Sequence, residues 1–123
     1  MGDRRTAEIR LEKGSLYVYS HWGGFEMRED AQDAIRAAEG RWSDEPYAAR
    51  IIVDQLTKHS RDQETGHGLM LGPDAEDEYG ANPSVIIDLV KQELHTVNNG
   101  VMEGMTFQEA REDSLGRAEA QEE

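Results

Sequence analysis

Residues 16–24 read Leu16-Tyr17-Val18-Tyr19-Ser20-His21-Trp22-Gly23-Gly24, and the predicted fold is built outward from them. Apolar or aromatic side chains occupy both alternating sets of positions over residues 16–22, which is typical of a strand buried on both faces. The two glycines lack Cβ atoms, so another backbone or a ligand can come close to them. We therefore expect a central strand that ends in a turn beside a cleft.

A second strand is predicted just before this one. Ala7, Ile9 and Leu11 alternate with charged residues, which is the period-two pattern of a half-buried strand. Lys13-Gly14-Ser15 offers a turn between the two segments. The two strands are expected to pair as a hairpin, with the first strand at or near a sheet edge.

After Gly24 the apolar residues recur every three or four positions, and this spacing predicts two helices. The first helix is expected over residues 28–39, ending near Gly40, since glycine favours the C-terminal cap. The second is expected from Glu45 to Lys58, capped by Ser43 or Asp44, with a proline tolerated in its first turn.

Strand-like segments return in the second half of the chain, at 67–71, 84–90 and 94–97. The acidic stretch between the first two, residues 74–83, has no periodicity and is expected to be an exposed loop. Thr106 and Glu109 fit a capping box that begins a short helix. From Asp113 onward the apolar content is low, which predicts disorder.

Two consecutive helices between groups of strands favour an α+β fold over alternating βαβ units. The prediction is an antiparallel sheet of about four to five strands, with two consecutive helices packed on one face and a short C-terminal helix. Residues 1–112 are expected to form a single α+β domain, and residues 113–123 an acidic, disordered tail.

Composition narrows the classes of partner and location. The chain has 26 acidic and 13 basic residues, a net charge of −13, and this disfavours nucleic acid as a partner because its binding needs a basic face. Abundant acids with only three lysines resemble the surfaces of halophilic proteins; an acidic mesophilic protein is the alternative. The chain has no apolar run near the roughly 20 residues of a membrane span, so we expect no membrane partner. Residues 1–6 lack the apolar core of a signal peptide, so we expect a cytoplasmic location. The absence of cysteine excludes disulfides and thiolate metal sites.

A small-ligand site is predicted where the turn after residue 22 approaches the start of the second helix. Arginines beside aromatic rings commonly hold phosphate or carboxylate groups, and the amides of Gly66-His67-Gly68 could form a weak anion-binding turn. The competing interpretations are structural: packing of His21 and Trp22 on the first helix, and an Arg50–Asp54 pair at i,i+4. The candidate ligand-binding residues are His21, Trp22, Gly23, Gly24, Arg41, Trp42, Arg50 and His67.

Catalytic, metal and cofactor sites are not predicted. The histidines and aspartates are dispersed and lack metal-ligand spacing. Ser20 and His21 point to opposite faces of a strand, which argues against a Ser-His-Asp set.

Three blocks carry a resemblance, and they cover about half of the chain. They are residues 16–24, residues 41–52 (Arg41-Trp42-Ser43-Asp44-Glu45-Pro46-Tyr47-Ala48-Ala49-Arg50-Ile51-Ile52) and residues 64–69 (Glu64-Thr65-Gly66-His67-Gly68-Leu69). As an ordered set they resemble an uncharacterised family of small phage and prophage proteins. The resemblance implies a viral or prophage origin and an accessory intracellular role, in the host cytoplasm, and it implies no activity or cofactor.

Together these observations predict a small acidic accessory protein that binds a protein partner or a small anionic, nucleotide-like ligand without catalysis. A homo-oligomer is expected. The first alternative is a virion structural or assembly component, which would be located in the virion. The second alternative is a hydrolase that uses His21 with an acidic residue.

Overall fold

In the computed structural model the described residues are 5–20, 27–60, 62–71, 84–98 and 101–121. The strands are β1 (Arg5–Leu11), β2 (Gly14–Ser20), β3 (His67–Leu71), β4 (Val85–Asp88), β5 (Glu93–Asn98) and β6 (Val101–Thr106). The helices are α1 (Met27–Ala37), α2 (Glu45–Thr57) and α3 (Phe107–Gln121), with 3₁₀ turns at Glu39–Arg41 and Lys58–Ser60. The fold class is α+β, as predicted.

The strands form one six-stranded mixed sheet in the order β3-β2-β1-β4-β5-β6. The β1–β2 hairpin forms as expected, with Ala7 opposite Val18. The sheet has six strands where about four to five were predicted. It is also mixed and not antiparallel throughout, because β1 and β4 pair in parallel, with Ala7 opposite Val85. The additional strand is β6, a six-residue segment that contains Gly104 and has no clear strand pattern in the sequence.

The position of β1 also differs from the prediction, because it lies in the centre of the sheet and not at an edge. Ala7 and Ile9 are fully buried, and Glu8, on the opposite face, is 7% exposed. The Glu8 carboxylate accepts hydrogen bonds from Arg10 Nε at 3.0 Å and from Ser15 Oγ at 2.8 Å. Charged residues can therefore occupy a central strand, since they satisfy one another.

One face of the sheet carries the helices, as predicted for the first two. Ala7, Ile9, Val18, Val85, Ile87 and Leu94 of that face share a core with Met27, Ala31, Ala34, Ile35, Ala48, Ala49, Ile52, Phe107 and Ala110 of the helices. The bounds of α1 and α2 agree closely with the predicted ones. Tyr47 of α2 is 54% exposed.

Helix α3 begins at the predicted capping box: Glu109 N–H donates to Thr106 Oγ1 at 3.1 Å, and Thr106 N–H donates to Glu109 Oε1 at 2.9 Å. The helix then continues to Gln121, where the sequence predicts a disordered tail from residue 113. Ser114 is 1% exposed and donates to Asp33 Oδ1 of α1 at 2.6 Å. The second half of α3 lacks an apolar stripe, and its low apolar content is the reason that the sequence predicts disorder. Hydrogen bonds from polar side chains hold it to α1 instead.

None of the helices in the described part of the chain combines the length and the apolarity needed to cross a membrane. The predicted acidic loop, residues 74–83, lies outside the described residues.

Because acids outnumber bases two to one, we expect stability to rise with salt. The melting temperature should increase between about 0.1 M and 1 M NaCl, since the Debye length falls from about 10 Å to 3 Å and self-repulsion is screened. Scanning calorimetry measures this, and a sucrose series controls for general exclusion of solute from the surface. A melting temperature that stays constant or falls with NaCl would contradict the halophilic interpretation.

Candidate functional site

Four of the predicted ligand-binding residues, His21, Trp22, Gly23 and Gly24, lie outside the described residues. The other four are Arg41, Trp42, Arg50 and His67, and their positions can be compared with the prediction.

Trp42 has a structural environment. Its indole Nε1–H donates to the backbone oxygen of Ile35 at 2.8 Å, and its ring centroid lies 5.3 Å from that of Phe107, with the planes tilted by 59°. The half-buried ring therefore packs against the core between α1 and α3. Its polar atom is used within the fold.

Both predicted arginines are exposed: Arg41 ends the 3₁₀ turn before α2, and Arg50 lies on α2. The Arg41 guanidinium lies 5.2 Å from the Tyr47 ring centroid and 3.6 Å from Asp44 Oδ2. Arg50 is exposed, one helical turn beyond Tyr47. The aromatic partner of Arg41 is thus the exposed Tyr47.

His67 begins β3, opposite Ser20 of β2. Its Nδ1 and the Ser60 hydroxyl are hydrogen-bonded at 2.5 Å, so the imidazole ties the strand to the 3₁₀ turn after α2. Gly66, just before it, is buried and has φ of 107°, a left-handed conformation that favours glycine. This glycine lets the chain turn sharply into β3.

The sheet face opposite the helices carries a polar cluster formed by Glu8, Arg10, Ser15 and Asp88. Besides the Glu8 contacts described above, Asp88 Oδ1 accepts from the backbone N–H of Val90 and of Lys91, both at 3.0 Å. The hydrogen bond to Glu8 raises the pKa of Arg10 above its ordinary value. Since that guanidinium stays charged at every accessible pH, the cluster is a structural tie between β2, β1 and β4.

A second polar pair lies further along this face. His95 Nε2 is 3.2 Å from Glu93 Oε1, and a Cβ built on Gly104 of the next strand would lie 3.0 Å from His95 Nδ1. The imidazole therefore lies across the glycine. Among the described residues no group of three or more His, Asp or Glu side chains is arranged to hold a metal ion.

Strand β3 presents a different kind of surface. Leu69 is 57% exposed and Leu71 is 73% exposed, and the two point to the same face, since they are two positions apart. β3 has one neighbour among the described strands, β2, and it contains no Asp, Glu, Lys or Arg. Beside Leu71 lies a cleft of about 440 Å³, lined by Leu11, Glu12, Lys13, Gly14, Ser15, Glu45 and Leu71.

We name this surface, the strand His67–Leu71 with the adjoining cleft, the β3 edge. The cleft is shaped by a contact between the β1–β2 turn and α2, because Glu12 N–H donates to Glu45 Oε2 at 3.1 Å. The sequence predicts the strand, but not that it lies at the edge of the sheet with two exposed leucines. The sequence does contain one sign of this exposed edge. Leu69 and Leu71 lie two positions apart in a strand that has no charged residue.

A second hollow, of about 360 Å³, lies between α1 and α2. It is lined by Asp33, Arg36, Ala37, Gln55 and Lys58. Two cationic side chains therefore face a concave surface at a place that sequence reasoning did not select.

Scans against protein-family models, curated proteins and solved structures each found no match to this chain.

Proposed function

We propose that this chain is a small, non-catalytic accessory protein that binds another protein at the β3 edge, in the host cytoplasm implied by the phage-type blocks. The single observation that supports this most is the uncharged edge strand with two exposed leucines, in a chain of which 32% of the residues are charged. Soluble proteins usually protect such edges with charge, proline or a covering element. An edge left apolar is typical of an interaction surface.

The candidate small-ligand residues support this choice indirectly. Trp42 and Arg41 already contact Ile35, Asp44 and Tyr47 within the fold. A planar anion at their predicted position would have to compete with those contacts. A small anion has better support at the α1–α2 hollow, where Arg36 and Lys58 line the same surface.

To test the proposal, a photo-crosslinking amino acid is placed at position 71 in the cells that make the protein, and the captured protein is identified and purified. The Leu71→Ser substitution is expected to weaken its binding by about 2 kcal/mol, or about 30-fold, because a buried apolar anchor is lost. Met102→Ser is the matched control, since Met102 is 57% exposed on the opposite edge strand. Calorimetry compares the variants.

The contrary result is also well defined. A nucleotide or phosphate from a calorimetric panel would bind, and the Arg36→Ser and Lys58→Ser substitutions would abolish that binding. Leu71→Ser would weaken no protein complex. These results together would show that the protein-binding function is wrong and that an anion-binding function replaces it.

A further inference from the structure

Acidic side chains lie at both ends of the β3 edge. Asp62 and Glu64 are exposed in the turn that leads into the strand at its His67 end. At the Leu71 end, Glu12 and Glu45 line the cleft, and Lys13 is the one cation among its lining residues. The strand between these ends carries no charge. The surface is therefore apolar in the middle and negative at both ends.

We propose that the β3 edge binds an extended protein segment that adds a strand to the sheet, with apolar residues alternating at its centre and Lys or Arg at both ends. The inference rests on the proposed protein-binding function and specifies the partner. Added strands are held by backbone hydrogen bonds and selected by alternate side chains. Leu69 and Leu71 occupy such alternate positions, and the acidic ends select the flanking charges.

The geometry sets the spacing of the basic residues. A strand rises about 3.3 Å per residue, so five residues of β3 span about 13–16 Å. The partner's basic residues should then be about five to seven positions apart, so that each reaches one acidic end. The basic residue at the Leu71 end would enter the cleft beside Glu12 and Glu45, where Leu11 and Leu71 can cover its methylene groups.

A second copy of this chain fits the surface poorly. If two β3 strands paired antiparallel, Asp62 and Glu64 of one copy would lie beside Glu12 and Glu45 of the other. Parallel pairing would place each acidic end beside its own counterpart. Both arrangements bring like charges together, on a chain whose net charge is already −13. Charge complementarity therefore favours a basic-ended segment.

The test uses the full chain as bait for a phage-displayed library of random 12-residue peptides. Enriched peptides are synthesised, and their affinities are measured by fluorescence anisotropy at 0.15 M NaCl. We expect alternating apolar residues flanked by Lys or Arg. Replacing the basic residues by Glu should weaken binding at least about tenfold, and most of that difference should disappear at 1 M NaCl, where charges are screened.

Variants of the protein locate the contact. Leu69→Ser and Leu71→Ser should each weaken binding about tenfold or more, and Met102→Ser should leave it unchanged. The Glu12→Gln, Glu45→Gln double variant should weaken the basic-ended peptides and make binding less dependent on salt. Hydrogen–deuterium exchange should show new protection of residues 67–71, which a peptide bound elsewhere would not give.

Several outcomes would overturn the inference. Peptides that need Leu71 but are acidic or helical would contradict the partner chemistry and leave the protein-binding function standing. Enriched peptides that do not protect β3, or no enrichment at all, would contradict the site. A Leu71-dependent dimer in sedimentation equilibrium would show that the occupant is a second copy.

Discussion

Replacement of Phe107 by alanine is expected to lower the free energy of unfolding by about 3–5 kcal/mol, the usual cost of removing a buried phenylalanine ring. Phe107 is 1% exposed and contacts the Trp42 ring at the start of α3. Domains of this kind are stable by only about 5–15 kcal/mol, so the loss would be a large fraction of the total. Urea unfolding at constant NaCl concentration measures it.

The control for this prediction is Phe107→Leu, which keeps most of the volume and should lose clearly less stability. Near-ultraviolet circular dichroism should also change in the alanine variant, because Trp42 loses its aromatic neighbour. A loss below about 1 kcal/mol would mean that Phe107 does not hold α3 to the core, contrary to the packing described above.

Replacement of Arg117 by methionine is expected to lower the free energy of unfolding by about 1–3 kcal/mol, because the buried Gln32 side chain loses a hydrogen-bond donor. The Arg117 guanidinium donates to Gln32 Oε1, to Asp33 Oδ1 at 2.9 Å and to the Glu29 backbone oxygen at 3.1 Å. Gln32 is only 2% exposed, so its oxygen has little access to water. The second half of α3 should loosen while the sheet stays intact.

Hydrogen–deuterium exchange locates this effect. Faster exchange is expected over residues 113–121, with unchanged exchange in β1 and β4. Arg117→Lys is the matched control and should recover part of the loss, since it keeps one charged donor. If the whole chain exchanged faster to the same extent, α3 would not be a separate unit, and the polar interface would have a global role.

The local patterns of the sequence predicted the local structures well. The α1 residues spaced three and four apart, such as Ala31, Ala34 and Ile35, are buried, and the Thr106–Glu109 capping box forms. What the patterns could not give is pairing between distant segments. The parallel β1–β4 pair joins strands separated by most of the chain, and period-two alternation contains no information about which strand lies beside which.

The errors at β1 and α3 have a common physical cause. In both segments, polar side chains that the sequence predicts to be solvent-exposed have polar partners inside the fold. Glu8 of β1 accepts hydrogen bonds from Arg10 and Ser15. Ser114 and Arg117 of α3 both donate to Asp33 of α1. A prediction from composition treats such polar residues as exposed, because composition contains no information about their hydrogen-bond partners.

The candidate site shows a similar limit. Residue type selected Arg41 and Trp42 as ligand-binding residues, but it could not show that the Arg41 guanidinium lies over the Tyr47 ring. Leu69 and Leu71 look like ordinary strand residues in the sequence. Their exposure follows from the position of β3 at the edge of the sheet. That position is set by the order of strands that are distant in the sequence.

The parallel pairing of Ala7 with Val85 has a consequence for biosynthesis. A ribosome releases β1 and its hairpin partner long before β4, so the middle of the sheet cannot close until Val85–Asp88 has emerged, about seven tenths of the way along the 123 residues. Contacts this distant along a chain slow folding, and the nascent intermediate leaves a strand flank open to aggregation. Until β4 is made, the backbone groups along this flank of β1 lack the strand that pairs with them in the folded sheet.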